Sequence, residues 1–238
     1  MKLIALTFLV SLSVFSHSNV HAVEFTNESE VGIAIASGNT NSKNINAKQS
    51  NSAQIDLYLA KFNARYLNAE SNRVESARYL FGGLRLEREL SSRFSLYLAQ
   101  GFENDKFAGY DLRHSSDLGG KYFIYKEETY TWVTELGYRY TNEKRINGSH
   151  VFQNSIRTFT EAEKKFNANV SAKYFAEYLP NLKESKDYQF NTELSVSAAL
   201  NSTFSIKTAY LLRFDNLPAP GTSTKTDRLF TTALVAKF

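Results

Sequence analysis

The sequence predicts an all-β protein, a closed antiparallel transmembrane β-barrel of about twelve strands with short periplasmic turns and longer extracellular loops. Three observations predict it. Apolar side chains recur at every second position through most of the chain, the period that places them on one face of a strand. Short polar links alternate with longer ones along the sequence. An apolar leader precedes this pattern, and the chain ends on a strand finishing in Phe238.

The leader is Met1 to Ala22. Lys2 supplies a positive n-region, Leu3 to Phe15 an apolar run, and Val20-His21-Ala22 a cleavage signature. The run is too short for the ~20 residues of a spanning helix, and no cysteine is present to carry a lipid anchor. Residues 1–22 are therefore expected to be a cleaved signal peptide and residues 23–238 a single barrel domain, exported to the outer membrane of a Gram-negative bacterium.

Loss of Lys2 takes the formal charge from +4 to +3. That charge is spread evenly, which does not suggest nucleic acid as a partner. The absence of cysteine excludes disulfides and thiolate metal sites. No phosphate loop, calcium loop or zinc spacing occurs, so neither cofactor nor metal is expected.

The alternation is clearest in Tyr130–Tyr140, where Tyr130, Trp132, Leu136, Tyr138 and Tyr140 share one face and Glu135, Gly137 and Arg139 the other. A helical period would scatter these sets. Similar runs place strands near 30–37, 42–50, 54–69, 75–89, 93–103, 111–124, 129–141, 150–163, 166–178, 185–200, 203–215 and 226–238. In the third run the parity changes between Leu59 and Phe62, which suggests a bulge near Ala60. Tight links at 90–92, 125–128, 164–165 and 201–202 alternate with longer ones at 68–74, 104–110, 142–149, 179–184 and 216–225. An even strand count puts both termini on the short-turn side.

In lipid every backbone polar group must be paired, so a spanning sheet has to close on itself. Its outer face must then be apolar, with aromatics near the interfaces, as Tyr130, Tyr140, Tyr178, Tyr188, Phe204, Phe214, Phe230 and Phe238 suggest. The alternating Phe230, Thr232, Leu234, Ala236 and Phe238 look like the signal recognised by barrel-assembly machinery. Membrane lipid and lipopolysaccharide are the other expected partners. A soluble sandwich or lipocalin-like barrel would instead put its charged face outside.

The polar face holds charges of both signs. Arg85, Glu87, Glu103, Asp117, Lys121, Glu135, Arg139, Arg157, Glu161, Lys173, Glu177, Glu193, Lys207, Arg213 and Asp215 are the candidate lumen-lining residues. They either interlock and fill the barrel or line a narrow wet pore; twelve strands lie between the filled and open regimes. A small-solute channel of weak selectivity and a closed structural or interaction barrel are both consistent with this set. Glu135, facing a polar lumen, is expected to tolerate conversion to Gln better than Leu136 tolerates Arg.

No catalytic residue is expected. Beyond the leader the only histidines are His114 and His150. Adjacent strand residues point to opposite faces, so Ser115 or Asp117 beside His114 argues against a hydrolase relay. His114 is expected near the outer rim and His150 in a loop.

Three loop segments and the chain terminus carry a family resemblance. The segments are Ser37-Gly38-Asn39-Thr40, Asp105–Arg113 (DKFAGYDLR), and Pro218-Ala219-Pro220-Gly221 with Lys225-Thr226-Asp227; the terminus is Phe238. With them the mature chain resembles the salt-induced outer-membrane proteins, a bacterial family without assigned activity. The resemblance implies location and fold. The segments themselves are turn chemistry, Gly and Asn tolerating positive φ and Pro fixing it. The first prediction concerns the leader. N-terminal sequencing of membrane-extracted protein should begin at Val23, and recovery of Met1 refutes cleavage.

Overall fold

The computed structural model describes residues 23–36, 42–220, 222 and 224–238. The leader, the Ser37–Thr40 segment and Gly221 lie outside the described residues. The strands are β1 (Glu24–Ala36), β2 (Ser42–Ile55), β3 (Tyr58–Ser71), β4 (Val74–Glu89), β5 (Phe94–Asp105), β6 (Tyr110–Lys126), β7 (Tyr130–Arg145), β8 (His150–Lys165), β9 (Val170–Pro180), β10 (Tyr188–Ala199), β11 (Phe204–Asp215) and β12 (Thr226–Lys237). Each pairs antiparallel with its sequence neighbours, and β1 pairs with β12 to close the barrel. Among the described residues no helix is long and apolar enough to cross a membrane.

The closing seam is the shortest ladder. Its register runs only from Glu28 opposite Lys237 to Val31 opposite Leu234. Below it the chain end completes the pairing: Asn27 N–H donates to the Phe238 carbonyl and Phe238 N–H to the Asn27 carbonyl, both at 2.9 Å. Lys237 Nζ lies 2.9 Å from Glu28 Oε2. The terminal residue thus joins the closing ladder through its main chain.

Side-chain direction follows the registers. From β3 onward even-numbered side chains face out, except at the register shifts of β6, where Tyr110 turns inward and Tyr125 outward; in β1 and β2 odd-numbered ones face out. The parity reverses at the two-residue turn Asp56-Leu57, where Asp56 adopts φ 51°. This turn, and not a bulge at Ala60, causes the irregularity in the third run, because the β2–β3 register is unbroken from Ser42–Ser71 to Ile55–Tyr58. The observed shift lies higher, at Ala69/Glu70 in the β3–β4 ladder. Residues 68–74 are likewise not a long loop. Both strands continue to the tight turn Asn72-Arg73, whose positive φ values of 49° and 66° match the right-handed twist of the paired strands, as a hairpin requires.

The molecule is apolar outside. Leu84, Leu136 and Phe230 are 63 %, 64 % and 69 % exposed, and many Leu, Ile and Val side chains accompany them. In water each would forgo roughly 1.5–3 kcal/mol of burial, a cost that vanishes in lipid. Aromatics gather at both ends of this surface. Tyr125 stacks near Tyr130 and Trp132 (5.4 and 6.1 Å) beside short turns. Tyr178, Tyr188 and Phe214 form a chain at 5.9 and 5.8 Å at the opposite end.

Hydrogen-bonded polar groups interrupt the outer surface in places. Asn27, Ser29, Gln49 and Asn51 bond to one another on β1–β2, with Ser29 Oγ 2.6 Å from Gln49 Oε1 and Gln49 Nε2 2.6 Å from Asn51 Oδ1. On β5–β6, Gln100 joins His114 and Ser116. Mutual hydrogen bonding lowers the cost of polar groups in an apolar medium.

Replacing outward Leu136 with Arg should lower folding stability in lipid vesicles by ~2–4 kcal/mol if the site lies at the midplane. An undiminished urea midpoint would reverse the inside-out assignment.

Candidate functional site: the barrel interior

Each candidate lumen-lining residue, from Arg85 to Asp215, falls on an odd, inward position. How they are arranged depends first on glycine. Gly119 stands opposite both Tyr97 and Gly137 in the β5–β6 and β6–β7 ladders. A Cβ on Gly119 or Gly137 would come within 2.7 or 2.6 Å of the Tyr97 hydroxyl. Tyr97 therefore lies along the wall in a groove that only glycine leaves open, and it is 1 % exposed. Phe81 uses the same device over Gly83 and Gly101, where a Cβ would approach its ring to 2.7 and 3.2 Å.

Tyr97 supports the central charge lattice. The Arg85 guanidinium stacks on its ring at 3.8 Å, and Arg157 Nη1 donates to its hydroxyl at 3.1 Å. Arg85 reaches from β4 to β7, donating to both oxygens of Glu135 at 3.0 and 2.7 Å. Arg157 donates to Glu135 Oε2 at 2.5 Å and to Glu177 Oε1 at 2.6 Å. Arg139 binds Asp117 through both oxygens at 2.6 and 2.7 Å. Glu87 gathers Lys121, Arg85 and Lys61 at 2.6, 2.8 and 2.9 Å. Such bidentate, charge-assisted contacts are short and directional.

The remaining candidates fall into separate places. Lys207 and Glu193 join Glu30 and Lys48 in a second cluster, with contacts of 3.0–3.8 Å linking β1, β2, β10 and β11. Lys173 pairs with both Glu161 and Glu163 at the short-turn end, where it remains partly exposed. Glu103 Oε2 accepts from Tyr110 and Tyr79 at 3.1 and 3.4 Å. Asp215 caps the β11–β12 loop by accepting from Leu217 N–H at 2.9 Å. Arg213 stacks on Tyr79 at 4.3 Å.

Above the central lattice lies a cavity of about 370 Å³ lined by the wall from β3 to β11 and by Asn181 and Asp187 of the β9–β10 loop. The loop segments at the mouth touch. Gly109, with φ 90°, packs so closely on Ala219 that a Cβ would meet the alanine's at 2.6 Å. The DKFAGYDLR and Pro218–Pro220 segments thus form one packed unit.

Several interior residues were not candidates in the sequence. Glu30, Lys48, Lys61, Arg65 and Arg113 lie within the expected strands but were not singled out, and Glu143 joins them because β7 extends to Arg145. Tyr97 and Tyr79 were not singled out in the sequence. The signal that could have found Tyr97 is the inward pair Gly119 and Gly137, since glycine weakens a strand unless another group occupies its place.

His114 faces outward, stacked on Phe102 at 4.7 Å and hydrogen-bonded to Gln100. Ser116 Oγ donates to Gln100 Oε1 at 3.0 Å rather than to the imidazole. Asp117 points to the opposite side of the wall, toward Arg139. No acid–histidine–serine relay is assembled here. His150 begins β8 and is not a loop residue.

A family profile described as "Protein of unknown function, DUF481" matches residues 29–238. No curated protein matches the sequence. Among solved structures, the COG4313 outer membrane channel from Pseudomonas putida F1 aligns with TM-score 0.55 and 12 % identity, over 97 % of this chain and 100 % of that one. The NanC porin aligns with TM-score 0.54 and 7 % identity, over 89 % and 97 %. At such identities the likeness is one of fold.

The Glu135 contacts revise the sequence-based expectation. Conversion to Gln leaves Arg85 and Arg157 short of a charge, so it should cost about 3 kcal/mol, the lower end for breaking a buried pair. Glu161→Gln, beside partly exposed Lys173, should cost under ~1 kcal/mol. Gly119→Ala should cost about 1–3 kcal/mol by displacing Tyr97. Urea titrations in vesicles that rank Glu161→Gln with Glu135→Gln would refute the central role of this lattice.

Proposed function

The chain belongs to the DUF481 family, proteins of unknown function, and on that premise we propose that it is an outer-membrane barrel that passes small solutes through a narrow, weakly selective lumen. The observation that carries this reading is a polar, charge-lined interior with a cavity of about 370 Å³ inside an apolar shell. A protein that served only as an apolar-surfaced anchor would have no need of a polar cavity.

The lattice of Arg85, Glu135, Arg157, Glu177, Arg139 and Asp117 crosses the barrel beneath that cavity and is its proposed constriction. Opposite charges alternate there at hydrogen-bonding distance, so they create no net potential favouring one ion sign, whereas selective pores carry rings of like charge. The same density of cross-lumen bonds favours a second reading, a closed barrel acting as a structural or interaction protein of the envelope. Enzyme activity is not part of either reading.

Export through cleavage after Ala22 belongs to the proposal, as do lipid and lipopolysaccharide around the barrel and assembly machinery at the β12 terminus. Outward Phe230, Leu234 and Phe238 support the last of these. The resemblance to salt-induced proteins makes raised external salt the condition under which to look for expression.

Planar-bilayer recording of refolded protein should show small conductance and a reversal potential near zero across a salt gradient. The combined variant Arg85→Ala, Glu135→Ala, Arg157→Ala should conduct more than the wild type if it inserts. A strongly selective pore contradicts the paired constriction, and no conductance from correctly folded protein favours the closed barrel.

A further inference from the structure

Six arginines line the main cavity: Arg65, Arg85, Arg113, Arg139, Arg157 and Arg213. Four of them are matched. Arg85, Arg113, Arg139 and Arg157 each hold a carboxylate oxygen at 2.7 Å or closer. Arg65 and Arg213 are different. Among the described residues, no carboxylate oxygen lies within 4.0 Å of either.

Both arginines take the same ring as neighbour. The Arg65 and Arg213 guanidinium carbons lie 5.8 and 4.3 Å from the centroid of Tyr79, which is itself buried. Arg65 Nε is buried without a hydrogen-bond partner. The nearby carboxylate, Glu103, is engaged by the hydroxyls of Tyr79 and Tyr110. Two guanidinium groups facing one cavity repel each other, and the Arg65 Nε–H has no acceptor, a condition that an anion relieves. Phe81, Leu179 and Leu211 line the same cavity and offer an apolar wall beside the charges.

We propose that this part of the cavity is a binding site for a small organic carboxylate, held by Arg65 and Arg213 through its oxygens and by Phe81, Leu179 and Leu211 through its apolar body. Planar guanidinium groups match a carboxylate in geometry as well as charge. The mixed wall favours a ligand with an apolar body over a bare ion. The inference deepens the channel reading, since it gives the proposed path a solute class, but the site itself requires only the folded barrel.

Isothermal titration calorimetry of the full mature chain, refolded in detergent at low ionic strength, tests it with benzoate, and with acetate as the anion lacking an apolar body. Benzoate should bind, and more tightly than acetate. Arg213→Gln and Arg65→Gln should each weaken it by roughly tenfold or more, the loss of a charge-assisted hydrogen bond. Arg213→Lys should recover part of the affinity, and Glu103→Gln should raise it by removing the competing negative charge. Retained heat-modifiable mobility on gels confirms that each variant is folded. No benzoate binding by folded wild-type protein, or undiminished, wild-type affinity in the two Gln variants, overturns the site. Acetate binding as tightly as benzoate overturns the apolar half of it. A barrel that binds benzoate yet does not conduct leaves the site standing and removes the channel; conduction without binding does the reverse.

Discussion

Every strand in this barrel has a partner on both sides, and that condition governs the rest of the structure. A strand edge facing an apolar medium would leave a row of amides and carbonyls unpaired, at several kcal/mol per group. Twelve strands meet the condition only because β1 reaches β12. That ladder is short, and the pairing of Asn27 with Phe238 extends it to the last residue of the chain. The closed wall then separates two environments, and the period of two along each strand sorts the side chains between them.

Closure also makes the interior a problem of charge packing. Long ionic side chains from opposite walls meet at the centre, where they need partners or water. Glycine determines how they meet. Gly119 and Gly137 make room for Tyr97 to lie against the wall, and Tyr97 in turn carries Arg85 on its face and Arg157 at its hydroxyl. Phe81 over Gly83 and Gly101 does the same nearer the cavity. Removing side chains from the wall thus lets two aromatics stiffen it without filling the lumen.

The charges are not distributed as their sum suggests. Across the central lattice every guanidinium has a carboxylate, and the second cluster around Glu30 and Lys207 is matched in the same way. The cavity above contains Arg65 and Arg213 without such partners. A barrel can therefore be nearly neutral at its narrowest section and still present a local excess of positive charge to whatever enters from the loop side.

The sequence by itself determined the barrel class, the strand order and the direction of nearly every side chain. Alternation with period two needs no tertiary information, so Leu136 and Glu135 could be assigned to opposite faces from the chain alone. It was less informative where strands were polar on both faces. Asn27, Ser29, Gln49 and Asn51 face outward on β1 and β2, and without an apolar stripe those strands were placed too short. The Asp56-Leu57 turn was mistaken for a bulge because both devices reverse parity along the chain. Which charges pair was decided only by the tertiary structure. Arg85 and Glu135 stand three strands apart, and Arg213 of β11 becomes a neighbour of Tyr79 on β4 only when the sheet curves shut. Period two specifies a face; the closed wall's register and curvature specify which residues meet across it.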